Sequence, residues 1–401
     1  MNFCHDGFLS RPTFGGWSVK QRCVPAAGCG DGIYDAAVIG AGLVGAAIAY
    51  GLGKSLAHVA LLDEGDVAYR ASRGNFGLVW VQSKGMGMAS YGAWTLGAAR
   101  LWPTLAAALL DETGVDVHLE QRGGLHVMLS EDEVRARVSF MKGLAAQPGM
   151  PAWGWRLLDR HEVADVLPGA GPDVAGAIWT DVDGAVDPLR LLRALHAAVS
   201  SGPVHYLPET PACSIAWGNG FFRVATPRGR IDARKVVMAA GLGNAALAAQ
   251  VGLSMPVRPQ RGQIIVLERS RPRLSVPLST LRQMAEGTWL IGDSQQDAGL
   301  DDQSVGWDVL ATLADRARRT LPALGQLNAV RAWSALRVMP RDGFPIYEQS
   351  ALCPGAFVAA CHSGVTLAAA HALKLAPMIA AGSLSQELAP FSTRRFHVQA
   401  S

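Results

Sequence analysis

Apolar and polar positions fall into order abruptly at residue 33. Residues 34–39 (YDAAVI) form a short apolar run that predicts a buried strand, and residues 43–52, small and apolar, predict a helix. Residues 58–62 (HVALL) predict a second strand. Together they make a βαβ unit of about 30 residues, whose strands are covered on both faces and so carry no polar alternation. Residues 91–110 (YGAWTLGAARLWPTLAAALL) predict a helix broken at Pro103, residues 121–129 a strand, and the charged run from Glu131 a surface helix. Residues 188–199 predict a helix with Pro188 in its first turn.

Residues 221–226 and 230–238 predict strands around a Pro227-Arg228-Gly229 turn. Residues 263–268, 288–291 and 357–360 predict further strands, and 307–320 and 366–381 helices. No repeat and no low-complexity linker separates these elements, which predicts domains interleaved along the chain.

Composition narrows the class. A length of 401 residues suits two or three domains at roughly 150 residues each. Lys and Arg number 36 against 33 Asp and Glu, a net +3, too small and dispersed for a nucleic-acid footprint. Apolar residues at 49% and charged ones at 17% exclude disorder for most of the length. No apolar run approaches the roughly 20 residues of a membrane-spanning helix; the richest, 356–370, is interrupted by His362, Ser363 and Gly364. Residues 1–32 read as an irregular extension without the apolar stretch of a signal peptide. Six cysteines make no disulfide framework, and the spacing of Cys4, Cys23 and Cys29 is not that of a zinc knuckle. The expected setting is cytoplasmic and reducing, with no metal.

The strongest chemical signal is Gly40-Ala41-Gly42-Leu43-Val44-Gly45, between the first strand and the helix. Gly40 makes the tight turn, Gly42 lets the backbone approach a pyrophosphate, and Gly45 lets helix and strand pack closely. The helix N-terminus, with Leu43 and Val44, offers free N–H groups to the phosphates. Asp63 ends the next strand, placed to accept from an adenosine ribose, and Glu64 beside it offers the same chemistry. The motif predicts a dinucleotide and by itself leaves FAD and NAD both open.

Several segments follow in a familiar order: Arg70-Ala71-Ser72-Arg73-Gly74-Asn75-Phe76-Gly77, then 183–188 (DGAVDP), 236–241 (VVMAAG), 259–263 (PQRGQ), 333–345 (WSALRVMPRDGFP) and 362–368 (HSGVTLA). With these, residues 33–390 resemble the D-amino-acid oxidase, glycine oxidase and sarcosine oxidase superfamily of FAD-dependent oxidoreductases. The similarity is greatest to the branch holding the hydrogen cyanide synthase, opine oxidase and hydroxyproline dehydrogenase catalytic subunits. No second GxGxxG is present for a nicotinamide nucleotide.

The resemblance implies an α/β fold: a Rossmann-like, glutathione-reductase-type FAD domain (33–84, 183–246, 328–390) interleaved with an α+β substrate domain on a mostly antiparallel sheet (85–182, 247–327). Residues 391–401 form a tail. It also implies one FAD, held noncovalently because no Cys or His stands at the attachment positions. Ser72, Arg73, Asn75, Gly77, Leu78, Ala212, Ala240 and Gly241 are its further expected contacts, beside the glycine turn.

Ser363, Gly364, Val365 and Thr366 open the last helix, where backbone N–H groups would face the developing charge of the flavin ring. Arg337 stands where the family binds a substrate carboxylate, although Ala335 replaces the family's glycine and the proline is shifted to Pro340. His362 is expected at the flavin or the substrate amine. Cys361 reads as a packed residue, and Trp80, Gln82, Met86, Met88 and Tyr91 as pocket wall or core.

The implied reaction is oxidation of the C–N bond of an amino acid or secondary amine of D-amino-acid, opine or hydroxyproline type. Hydride passes to flavin N5 and water hydrolyses the imine. The branch further implies a dehydrogenase subunit that hands electrons to companion subunits, and attachment to a membrane only through them. A stand-alone oxidase making hydrogen peroxide and a non-catalytic FAD-binding assembly subunit are the alternatives.

Overall fold

Ala36–Ile39 is a strand with every residue at 4% exposure or less, because both of its edges and both of its faces are covered. Val59–Leu62 and Val236–Met238 flank it in parallel. The sheet runs Ile346–Gln349, Ala356–Ala360, Val236–Met238, Ala36–Ile39, Val59–Leu62, Val204–Leu207, parallel except between its first two strands. This computed structural model describes residues 32–65, 70–271, 274–292, 294–300 and 302–396. Cys4, Cys23, Cys29 and the rest of residues 1–31, and the tail beyond 396, lie outside the described residues.

One face of the sheet is covered by Leu43–Leu52, Pro188–Ser200 and the final helical run, which pack on one another as a single apolar core. That run extends without a break from Gly364 to Ala381 through one π-helical turn at His371–Leu375. It exceeds the apolar stretch expected there, and among the described residues it is a helix long and apolar enough, by length and composition only, to cross a membrane. Its apolarity has a local cause: residues such as Leu367, Ala372, Leu375 and Ile379 are packed against neighbouring helices at 1% exposure or less.

A second, antiparallel sheet stands over the C-terminal ends of the parallel strands. Its spine is the pair Val257–Arg269 and Ala329–Pro340, in which Gln260 lies opposite Arg337. Leu281–Gln283, Thr288–Ile291 and Gln296–Asp297 extend it. The small sheet Gly124–Met128, Gly176–Thr180, Trp155–Leu158 joins its edge through a bridge from Leu125 to Leu278. The chain passes between the layers several times.

Three expectations are corrected. The helix Ala89–Thr113 is not broken at Pro103. The proline has no N–H for the Ala99 carbonyl, but Gln121 Nε2 donates to that oxygen at 2.9 Å. The run 230–238 is two strands: Gly229–Ala233 pairs antiparallel in a hairpin, whereas Val236–Met238 must run parallel to Ala36–Ile39, so the chain turns at Arg234 and Lys235. The strand over 263–268 starts earlier, at Val257. Its first residues are polar and show no apolar alternation: Arg258 and Gln260 line a cavity, and Arg261 pairs with Asp302 at 2.7 Å.

Candidate active site

At the glycine turn Gly40 has φ +101°, and a Cβ there would sit 2.5 Å from the Ala239 carbonyl oxygen. A Cβ on Gly45 would lie 1.8 Å from the Gly40 carbonyl oxygen, so strand and helix meet backbone to backbone. The helix begins at Gly42 with no side-chain cap of its own. Ser72 Oγ accepts from Leu43 N at 2.9 Å. The Asp63 carboxylate is aimed at the turn: Oδ2 accepts from Ala41 N at 2.7 Å and Oδ1 from Gly65 N at 3.0 Å. Glu64 instead forms an exposed ion pair with Arg70.

A cavity of about 1600 Å³ runs from this turn to the start of the last helix and the Ala329–Pro340 strand. It exceeds the roughly 300–1,000 Å³ of an ordinary small-molecule pocket. Every residue the sequence assigned to the cofactor or to catalysis lines it except Gly45 and Gly77. Gly77 has φ +90°, and a Cβ there would strike the Arg282 guanidinium at 2.0 Å. Its N–H is held by Asn75 Oδ1 at 2.7 Å. Both glycines shape the cavity wall from behind.

The last helix opens on the same cavity, again without a side-chain cap. Its hydroxyls do other work. Thr366 Oγ1 donates to the Leu78 carbonyl at 3.1 Å and accepts from Trp80 N at 3.2 Å, while Ser363 Oγ and Tyr91 OH are 2.9 Å apart. The helix start is thus tied to the neighbouring strand and helix, and its residues Ser363 to Thr366 line the cavity. Cys361 is buried, and burial pushes its thiol up to about 12, so it is a packing residue.

At the far end stand Arg337, His362 and Lys84. The Arg337 guanidinium lies over the Gly262 backbone, where a Cβ would be 2.7 Å from its central carbon, and Nη1 donates to the Ser294 carbonyl at 2.7 Å. His362 Nε2 is 2.9 Å from Lys84 Nζ. Burial, then Lys84 and Arg337, hold the imidazole well below its ordinary pKa, so the ring is neutral. With an ammonium donating to Nε2, the ring proton is on Nδ1.

Of the five residues read as wall or core, only Trp80 lines the cavity. Gln82 is fully buried, donating to Asp183 at 2.8 Å, Tyr91 is core, and Met86 is exposed. Lys84 was not singled out by sequence reasoning. The signal was there: it is the one charged residue between Arg73 and Arg100.

The residues present fit FAD. Two helix starts whose own cap residues supply no side-chain acceptor open on one elongated cavity, one beneath a carboxylate-bearing strand end suited to the adenosine half, the other beside Arg337 and suited to the ring.

A family model described as FAD dependent oxidoreductase matches residues 35–378. The chain is 46% identical over 365 residues to an opine oxidase subunit of Agrobacterium tumefaciens, covering 91% of this chain and 98% of that one. Glycine oxidase of Geobacillus kaustophilus is 29% identical over 373 residues, 90% and 97% of the two chains. The crystal structure of glycine oxidase from Geobacillus kaustophilus superposes with a TM-score of 0.80 at 27% identity, covering 90% of this chain and 98% of that one.

Proposed function

The chain belongs to the FAD-dependent oxidoreductases and oxidises the C–N bonds of amines or amino acids, and on that premise we propose that it acts on a carboxylate-bearing amino acid or secondary amine as the catalytic subunit of a dehydrogenase. The observation that carries the reading is the meeting of Arg337 and the neutral His362 in the cavity that begins at the glycine turn. Bound FAD supplies the acceptor for the electron pair of the substrate C–H bond.

The protein's share is binding and orientation. The first helix start and Asp63 hold the adenosine and pyrophosphate, and the N–H groups from Ser363 to Thr366 hold the ring edge, all noncovalently. Arg337 binds the substrate carboxylate with its planar fork, which fixes the direction of the α-carbon hydrogen. His362, being neutral, adds no positive charge against the substrate's amine. Positioning of this kind is worth several powers of ten in rate.

The Agrobacterium relative is by name one subunit of an opine oxidase, which favours companion subunits that receive the electrons. The glycine oxidase relative favours the second reading, a single chain that reduces oxygen to hydrogen peroxide.

The test is anaerobic titration of the purified flavoprotein with a panel of amino acids and secondary amines. Loss of the flavin absorption with at least one of them is expected; no loss with any overturns the reading. Peroxide release on admitting air separates oxidase from dehydrogenase.

A further inference from the structure

We propose that His126 and Ser279 form a subsite for a carboxamide on the substrate arm beyond the reacting carbon, with His126 donating to the carboxamide oxygen. This rests on the reading of the site as an amine-oxidising one and adds what selects its substrate.

His126 stands on the strand Gly124–Met128, whose Leu125 and Val127 belong to the apolar core shared with the larger antiparallel sheet. Strand alternation turns His126 to the other face, where it lines the cavity. Ser279 lines the cavity too, and its N–H donates to the Leu125 carbonyl at 2.9 Å. Two segments far apart in sequence thus bring an imidazole and a hydroxyl to one part of the wall.

Neither side chain has a hydrogen-bond partner among the described residues, and His126 Nδ1 is enclosed without one. Nε2 is therefore the ring nitrogen left to meet a ligand. An enclosed lone pair without a partner is tolerated better than an enclosed N–H without one, which assigns the ring proton to Nε2. His126 is then a donor, and the Ser279 hydroxyl can accept as well as donate. A group that offers an oxygen and an N–H side by side satisfies both, and a carboxamide is such a group.

The place belongs to the substrate end of the cavity. Arg137, one of the charges acting on His126, donates from Nη2 to Ser83 Oγ at 3.2 Å. Ser83 and Lys84 line the cavity, and Lys84 Nζ is 2.9 Å from His362 Nε2. His126 is thereby linked to the Arg337 and His362 end, away from the glycine turn.

Charge decides between a carboxamide and a carboxylate. Burial, then Arg137 and Arg316, lower the imidazole to a pKa of about 3, so it is neutral. Arg316 is held by Glu133 at 2.8 Å, and Arg137 donates to Gln82 Oε1 at 3.0 Å. A carboxylate would give up its hydration for a neutral donor, which costs far more than desolvating a carboxamide.

The test uses the FAD-loaded protein and racemic amino acids matched in shape: asparagine against leucine, and glutamine against homoleucine. Aspartate and glutamate supply the charged arms, and every compound is used free and N-methylated. Apparent dissociation constants come from anaerobic reduction of the flavin. An uncharged hydrogen bond corresponds to about 3- to 10-fold in affinity. In at least one pair the carboxamide is expected to bind tighter than its alkyl match by that ratio, and tighter than its carboxylate analogue.

In His126→Phe the ratio is expected to fall to about one, while His126→Gln, which keeps an N–H donor, retains most of it. Ser279→Ala is expected to lower it about 2-fold or more. Equal binding of carboxamide and alkyl arms by the unaltered protein overturns the proposal, as does a preference for the carboxylate. So does a His126→Phe protein that holds FAD and keeps the ratio, or that weakens both members of a pair equally, since His126 would then only shape the wall. Should His126→Phe fail to hold FAD, an unchanged ratio in Ser279→Ala overturns it. If no amine at all reduces the flavin, glycine and sarcosine included, the functional reading has failed and the subsite with it. If those two reduce it and no carboxamide gains an advantage, only the subsite has failed.

Discussion

Gln121 Nε2 donates to the carbonyl oxygen of Ala99 at 2.9 Å, the acceptor left without its helical partner by Pro103. The same nitrogen donates to the Val182 carbonyl at 2.9 Å. One side chain thereby lets a proline stand inside a 25-residue helix and fastens that helix to the bend between the strands Gly176–Thr180 and Gly184–Ala185.

Gln121→Ala is therefore expected to cost about 1–3 kcal/mol, the penalty for stripping partners from enclosed carbonyls. In a Pro103→Ala background the helix regains its own N–H, and the cost is expected to drop by about 1 kcal/mol. Urea unfolding midpoints of the four proteins measure this coupling. Equal costs in the two backgrounds would show that the glutamine does not compensate the proline.

The glycines of the nucleotide turn are expected to fail in different ways. A Cβ on Gly42 meets only the Ser72 hydroxyl, at 2.8 Å, which can rotate away but then gives up its bond to Leu43 N. Gly42→Ala should fold and bind FAD about tenfold or more weakly, as expected where phosphate approaches bare backbone. On Gly45 the Cβ meets the Gly40 carbonyl oxygen at 1.8 Å, and backbone cannot yield cheaply. Gly45→Ala should lose about 1–3 kcal/mol of stability or more even before FAD is added. Fluorescence titration with FAD, alongside thermal unfolding of the apoprotein, separates the two effects.

Where apolar runs decide a structure, the sequence reads well. The strand Val59–Leu62 and the helices Leu43–Leu52 and Trp307–Thr320 lie where the pattern puts them. Ala329–Pro340 escaped as a strand because Arg331, Ser334 and Arg337 interrupt any clean alternation; its second half, Ala335 to Pro340, lines the cavity. Pro103 misled because the group that rescues its carbonyl is 18 residues away in sequence. Motifs drew Arg337 and His362 into the site, but Lys84 belongs to no motif. What places it there is the crossing of two layers, and such a crossing leaves no local trace.

Asp183 is fully buried beneath the cavity wall, accepting from Val81 N at 2.5 Å and Gln82 Nε2 at 2.8 Å. Burial pushes its carboxyl up to about 6. Near pH 5 the native chain holds a proton that the unfolded chain has released. The stability from this group is therefore complete below about pH 4 and is lost as pH rises through 6, on the order of 3 kcal/mol. Asp183→Asn, neutral throughout, avoids that loss. Its stability relative to the unaltered protein should grow from pH 4 to 6 and level off above. His126 and His371, both lowered to about 3 by burial first, titrate in the opposite sense but do so in both proteins, so they cancel in the difference. A flat difference across this window would mean that Asp183 is ionised in the native state.

Gly262 tests whether the place of Arg337 matters as much as its charge. The Arg337 guanidinium lies against the Gly262 backbone, and a Cβ added there would come within 2.7 Å of its central carbon and Nη2. The obstructing atoms are the far end of a flexible side chain, so Gly262→Ala should fold with little loss of stability, and the arginine should give way. Moving the fork spoils a two-point hydrogen bond to a carboxylate while keeping the positive charge. Weakening of carboxylate-bearing amines by about tenfold is expected, comparable to Arg337→Lys, which keeps the charge and removes the fork. The measurement is the apparent dissociation constant from anaerobic reduction of the flavin, with FAD content as the control. A Gly262→Ala protein that binds these amines as tightly as the unaltered one would show that Arg337 does not need that seat. A loss of FAD together with substrate affinity would mean the strand itself had shifted.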